Sequence, residues 1–234
     1  MLFFRKPVGT AAFLGGLPST LTDFTRAWGK MVAVSQEYYV QKNQFLHIDD
    51  AANSHHATAR NGLCQRMLGD FIWMSDTDHS FQSDIVIRMA SLMEQANIES
   101  LSGVYQFKVP PYQPNVFRWI EDRKEYGYVS DFDWSQRLVG GVGVCTGGGC
   151  LMVRRSLLDK LRRAFAPCQP FDELTAYSGR PFGEDFSFSD RMRLLGIPHY
   201  VAPMIHSEHL MVKPVTLDMF QRNQIDPGTT MRIG

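Results

Sequence analysis

Phe71-Ile72-Trp73-Met74-Ser75-Asp76-Thr77-Asp78-His79 is the stretch whose reading decides the fold. Its five leading residues, rich in aromatic and branched side chains, predict a buried strand. Residues two apart on an extended chain point the same way, so Asp76 and Asp78 are expected side by side at the strand's C-terminal end. Two carboxylates ~4 Å apart repel by roughly 4 kcal/mol at an effective dielectric of ~20. Such a pair needs a cation, or one member must stay protonated. Hard carboxylate oxygens suit Mg²⁺ or Mn²⁺, which bind through one or two carboxylates plus substrate phosphates. Asp-Thr-Asp is also good turn chemistry, so the motif gains weight only from its surroundings.

Working outward, elements alternate in the first half of the chain. Gly9–Leu14 reads as a strand with Gly15-Gly16-Leu17-Pro18 as its exit loop; Pro7 and the glycine pair break any likeness to a signal peptide. Residues 20–34 read as a helix with Leu21, Phe24, Trp28 and Met31 on one face, and Gln44–Ile48 as a strand. Ser54–Leu68 predicts a helix entering the Asp76 strand. Ser83 is the expected N-cap of a helix with an Ile85, Met89, Leu92, Met93 and Ala96 stripe, followed by a strand over Ser100–Phe107. Alternation of this kind predicts a single α/β domain, a mostly parallel central sheet flanked by helices.

The pattern loosens from Pro110 to Arg137, where prolines and aromatics predict a small antiparallel excursion. Residues 140–150 then set Gly147, Gly148 and Gly149 before a strand through Leu151-Met152-Val153. Glycines there serve either a tight sheet corner or the close approach of a backbone or ligand. Ser156 with Asp159 suggests a capping box opening a helix to Phe165. A last helix is expected from Glu184 to Gly196, then a strand over Ile197–Val201. The domain is expected to span 1–212, with 213–234 as a docked or partly disordered arm.

Composition sets limits. Apolar residues make up 44% and charged residues 21%, ordinary globular usage that can bury a core. Lys plus Arg equals Asp plus Glu at 24 each, so no global field draws the chain to nucleic acid or an anionic membrane. Any phosphate must be held locally. The four cysteines lack Cys-x-x-Cys spacing, which argues against structural zinc and fits a reducing, cytoplasmic setting. No apolar stretch reaches the ~20 residues that span a bilayer.

Four blocks in order resemble a GT-A-fold glycosyltransferase, close to glycosyltransferase family 2 and its viral and environmental relatives. They are Ala59-Arg60-Asn61 before the Asp76-Thr77-Asp78 (DxD) strand; Ser102-Gly103-Val104-Tyr105 before a proline-rich loop; Gly149-Cys150-Leu151-Met152-Val153-Arg154-Arg155; and Gly183-Glu184-Asp185-Phe186-Ser187-Phe188 with Arg191, Gly196 and a later histidine. They cover roughly residues 9 to 210.

The resemblance implies transfer of a sugar from a nucleotide-diphosphate donor to a hydroxyl of a saccharide, protein or other acceptor, with inversion. It implies Mn²⁺ (or Mg²⁺) held directly by Asp78, with Asp76 on the ribose or a metal-bound water. His209 would be the third ligand, His206 its rival; a neutral imidazole tilts the choice toward manganese. Arg60 and Asn61 would contact the donor or orient the aspartates. Gly148 and Gly149 would let donor or acceptor approach the backbone, and Trp119, Tyr128 and Trp134 would offer faces to acceptor sugars. Asp185 would be the general base, and Glu184 would orient the acceptor or a glycine-loop amide. The first strand has no acidic residue for reading a base, so UDP- and GDP-sugars both stand. A nucleotidyltransferase of related fold and a non-catalytic carbohydrate-binding or scaffold protein are the alternatives. The loop Gly15-Gly16-Leu17-Pro18 has no Lys or Arg for the former.

Overall fold

The computed structural model describes residues 5–15, 22–52, 55–109, 111–129, 133, 135–174 and 182–210. The expected arm at 213–234, the exit loop beyond Gly15 and Trp134 lie outside them. The first half alternates as its periodicity demands: β1 (Lys6–Gly15), α1 (Thr22–Gln41), β2 (Gln44–Ala52), α2 (His56–Arg66), β3 (Phe71–Asp76), β4 (His79–Phe81), α3 (Ile85–Ala96) and β5 (Ser100–Val104). The second half holds β6 (Val116–Ile120), β7 (Glu125–Tyr128), β8 (Val139–Gly141), β9 (Val144–Thr146), β10 (Cys150–Arg154), α4 (Arg155–Phe165), α5 (Glu184–Leu194) and β11 (His199–His209).

The main sheet runs β2-β1-β3-β10-β5-β11-β4, with β8 also paired to β11. Its pairings make β1, β2, β3, β5 and β11 run one way, while β10 is inserted antiparallel between β3 and β5. A separate antiparallel sheet, β7-β6-β9, is the excursion. Strand alternation sorts the core onto two faces. Ala11, Trp73, Leu101 and Met152 pack with Phe24 and Met31 of α1 and Met89 of α3. Their neighbours Ala12, Met74 and Leu151 pack with Leu63 of α2, Leu158 of α4 and Phe188 of α5.

Three local expectations are corrected. Asp84, not Ser83, precedes α3, and it makes no side-chain cap. No capping box opens α4: Arg154 is its N-cap, and the Ser156 hydroxyl donates to Glu99 Oε1 at 2.6 Å. The last strand continues to His209, because its outer half pairs with β4 as Ser207 with Phe81 and His209 with His79. Gly196, at φ +68°, does end α5 as expected.

Candidate active site at the C-terminal edge of the sheet

β3 ends at Asp76, and Thr77–Asp78 form a turn into β4. The strand's two-residue alternation stops at Asp76, before Asp78, and each carboxylate has its own partners. Asp76 belongs to Arg60. The Arg60 guanidinium is 1% exposed and donates through Nη2 to Asp76 Oδ1 at 2.9 Å, through Nη1 to the Gly148 carbonyl at 3.0 Å, and through Nε to Glu184 Oε1 at 3.2 Å. One buried cation thus ties β3, the glycine turn and the start of α5 together. Burial opposes its charge, but Asp76, Glu184 and Asp185 outweigh that and raise its pKa. Asp76 is therefore an Arg60 partner rather than a member of the metal-competent group. Glu184 meets the same arginine, not a glycine-loop amide.

Asp78 gathers a different set. Its carboxylate, His79 and His209 offer one ligand atom each, all within 4.8 Å of one another. His209 Nε2 lies 3.5 Å from Asp78 Oδ2, and His79 Nε2 lies 3.7 Å from Oδ1. His209 Nδ1 donates to the Gln106 carbonyl at 2.9 Å, which orients the ring and turns Nε2 toward Asp78. His79 is fully buried, hydrogen-bonds through Nδ1 to Ser207 Oγ at 2.8 Å, and has no partner at Nε2. Lys108 Nζ closes on Asp78 Oδ2. Burial alone would raise the Asp78 pKa, yet His209, Lys108 and His79 together hold it well below the usual carboxylate range. Burial pushes the His79 imidazole down to about 4, so it stays neutral at pH 7. An anionic carboxylate, neutral imidazole and an orphaned buried nitrogen fit a divalent cation. His206 is exposed on the same strand and outside this group.

The glycines serve the protein's own side chains. A Cβ at Gly147 would stand 2.0 Å from the Tyr105 hydroxyl, at Gly148 2.4 Å from Arg60 Cζ, and at Gly149 2.4 Å from His79 Nε2. The Tyr105 hydroxyl accepts from Asn115 Nδ2 at 2.8 Å and from the Gly149 amide at 3.3 Å, and its ring packs edge-on to His79.

Asp185 sits in the first turn of α5, behind the uncapped Gly183. Burial and the neighbouring Glu184 charge raise its pKa to about 6, against the pull of Arg60 and the Phe186 amide. Asn61 is turned elsewhere: its amide donates to Asp172 at 2.8 Å and accepts from the Phe171 N–H at 3.0 Å. Trp119 is covered by the Arg193 guanidinium, 4.0 Å from its ring, whereas Tyr128 is 52% exposed.

Sequence reading assigned no role to His79, Lys108 or Tyr105. His79 had one signal, its place directly after Asp78, and Tyr105 closed the Ser102–Tyr105 block without a role attached; Lys108 reaches the site through a loop that no local pattern encodes. A cavity of about 440 Å³ lined by Val8, Tyr38, Asp70 and Phe71 lies at the opposite, N-terminal ends of the strands and contains none of these residues. No helix among the described residues is long and apolar enough to cross a membrane.

No family model matches the chain, and no curated protein matches it. Solved structures do. GalNAc-T7, crystallised with UDP, GalNAc and Mn²⁺, superposes with a TM-score of 0.56 at 10% identity, over 87% of this chain and 43% of its own. Residues 1–349 of S. aureus TarS give 0.49 at 10% identity, over 86% of this chain and 60% of theirs. The inositol-1-phosphate CTP transferase from T. maritima gives 0.46 at 8% identity, over 97% and 100%. The chain thus spans about half the length of the first two. At such identities the likeness speaks to fold alone, and the fold is that of a GT-A-type domain.

Proposed function

We propose that the chain is a metal-dependent glycosyltransferase that moves a sugar from a nucleotide-diphosphate donor, a UDP- or GDP-sugar, to a hydroxyl acceptor with inversion. The observation that carries this reading is a cation-competent carboxylate–imidazole group at Asp78 and His209, next to the end of β3, which Arg60 ties through Asp76 and Glu184 to the acidic start of α5 at Asp185. Ligands of open α/β sheets bind beyond the carboxyl ends of the strands.

Asp78 and His209 would hold the divalent ion, Mn²⁺ in preference to Mg²⁺, and when bound it would neutralise charge on the departing diphosphate. Lys108, already beside Asp78 and 37% exposed, reaches the same phosphates. Arg60 is a positioning residue: it fixes Asp76 for the ribose and holds Glu184 next to Asp185. The Asp185 carboxylate takes the acceptor hydroxyl's proton as that oxygen bonds to the anomeric carbon and the carbon–diphosphate bond breaks. Tyr128 offers an open aromatic face for an acceptor sugar.

Nucleotide affinity measured by calorimetry with Mn²⁺ tests the reading. Asp78→Ala is expected to abolish metal-dependent binding while the circular dichroism spectrum is kept, because it removes a turn side chain and no core packing. His209→Ala is expected to weaken binding more than His206→Ala. Unchanged affinity in Asp78→Ala, or donor hydrolysis indifferent to Mn²⁺, would overturn the reading. Release of inorganic pyrophosphate from a nucleoside triphosphate would replace it with nucleotidyl transfer.

A further inference from the structure

The Asp78 carboxylate faces two imidazoles, one per oxygen. The β4–β11 pairing sets His79 directly opposite His209, and the two rings stack at 4.6 Å with 27° between planes. The nitrogen–oxygen separations, 3.7 Å for His79 and 3.5 Å for His209, exceed a good hydrogen bond. Neither tautomer of His79 is comfortable as it stands. With hydrogen on Nε2, a fully buried donor lacks an acceptor; with hydrogen on Nδ1, donating to Ser207, an Nε2 lone pair faces an anion. A cation shared with Asp78 resolves the conflict. Space is kept in front of this nitrogen, because any residue but glycine at 149 would place a Cβ 2.4 Å from it. The three ligand atoms lie within 4.8 Å of one another, somewhat wider than the ~4.2 Å that two opposed ~2.1 Å bonds reach, so the side chains close in on an ion by rotamer adjustment.

We propose that His79 is a direct ligand of the divalent ion, so that the centre is built from two imidazoles and one carboxylate and selects Mn²⁺ and softer ions over Mg²⁺. The inference rests on the metal-dependent reading above and deepens it. Two imidazole nitrogens are poor partners for Mg²⁺, which prefers oxygen and keeps its waters, and good ones for Mn²⁺ and later metals. The Ser207 hydroxyl then acts as the outer-shell partner that orients the ring.

The test uses the full chain, stripped of metal and titrated with Mn²⁺ in the presence of UDP, with electron paramagnetic resonance reading free Mn²⁺. Pulsed measurements on wild-type protein carrying ¹⁵N-histidine are expected to count two imidazole nitrogens on the ion. This readout does not depend on whether a His79 variant folds. His79→Ala is expected to weaken Mn²⁺ by at least about tenfold, since even outer-shell partners are worth 10–100-fold, and Mg²⁺ by less than about threefold. A single coordinated histidine nitrogen, lost in His209→Ala and kept in His79→Ala, would overturn the role of His79 while leaving the Asp78–His209 centre intact. Failure of the wild-type chain to take up Mn²⁺ at all would overturn both.

Discussion

Asp185 is pulled in two directions, and magnitudes decide. A helix N-terminus stabilises an anion by about 0.3–1 kcal/mol, under one pKa unit at 1.36 kcal/mol per unit. Burial beside Glu184 pushes the other way and wins, lifting the pKa from 3.8 to about 6. The side chain is thereby a better base near neutral pH than its helix position alone suggests. Because the folded state holds this proton more tightly than the unfolded chain, stability falls as pH rises from about 4 to about 6 and stays lower above. Wild-type transfer is expected to climb through pH ~6 and level off. Asp185→Asn, which removes a half-buried charge beside Glu184, is expected to raise the melting temperature at pH 7.5 by a few degrees and to cut transfer by roughly 10²–10⁴-fold. Donor affinity should stay within a few-fold. A variant that melts earlier and turns over normally would make Asp185 a helix-start residue only. The acidic pair itself was legible from sequence; the direction of its pKa shift was not, since it depends on what buries it.

At the scale of elements, the glycine turn between β9 and β10 acts as a mould for side chains. Arg60 cannot retreat from a Cβ at residue 148, because each of its three nitrogens donates to a different segment: β3, the glycine turn and the start of α5. Gly148→Ala is expected to cost about 1–3 kcal/mol, the usual effect of overpacking, and to lower transfer with it by shifting Asp76 and Glu184. Gly29→Ala is the matched control. It lies in α1 with nothing within 4 Å of the new Cβ, so replacing a helical glycine should stabilise by about 0.4–1 kcal/mol. Thermal melts of both variants check the contrast; equal shifts would remove the steric account. From sequence these glycines stood equally for a tight sheet corner and for the close approach of a backbone or ligand; in the fold it is the chain's own side chains that crowd them. Helix α2 and strand β3 were readable because their signals are local. The antiparallel insertion of β10 and the outward run of β11 were not, because both are decided by partners distant in sequence.

The whole molecule has equal numbers of acidic and basic residues, 24 of each, so a diphosphate is not drawn in by the overall field. Its affinity must be assembled at one edge of one sheet. There Arg60 is already neutralised by Asp76 and Glu184, so on the proposed reading Lys108, among the described residues, and a bound ion would face the phosphates. Lys108 is itself paired with Asp78 until the ion competes for that carboxylate. Nucleotide and metal should therefore stabilise the fold only together. With UDP or GDP and Mn²⁺ at about 100 times the dissociation constant, mass action contributes ~2.7 kcal/mol. For a chain of this size that corresponds to a rise of roughly 5–10 °C in melting temperature. Nucleotide alone, or Mn²⁺ alone, should give a small fraction of that shift, and a chelator should return the complex to the unliganded value. Whichever nucleoside diphosphate gives the largest metal-dependent shift identifies the donor base, the one choice for which the first strand has no acidic residue to decide. Equal shifts with and without metal would mean that Lys108 carries the phosphates unaided, and that the carboxylate–imidazole group serves another purpose.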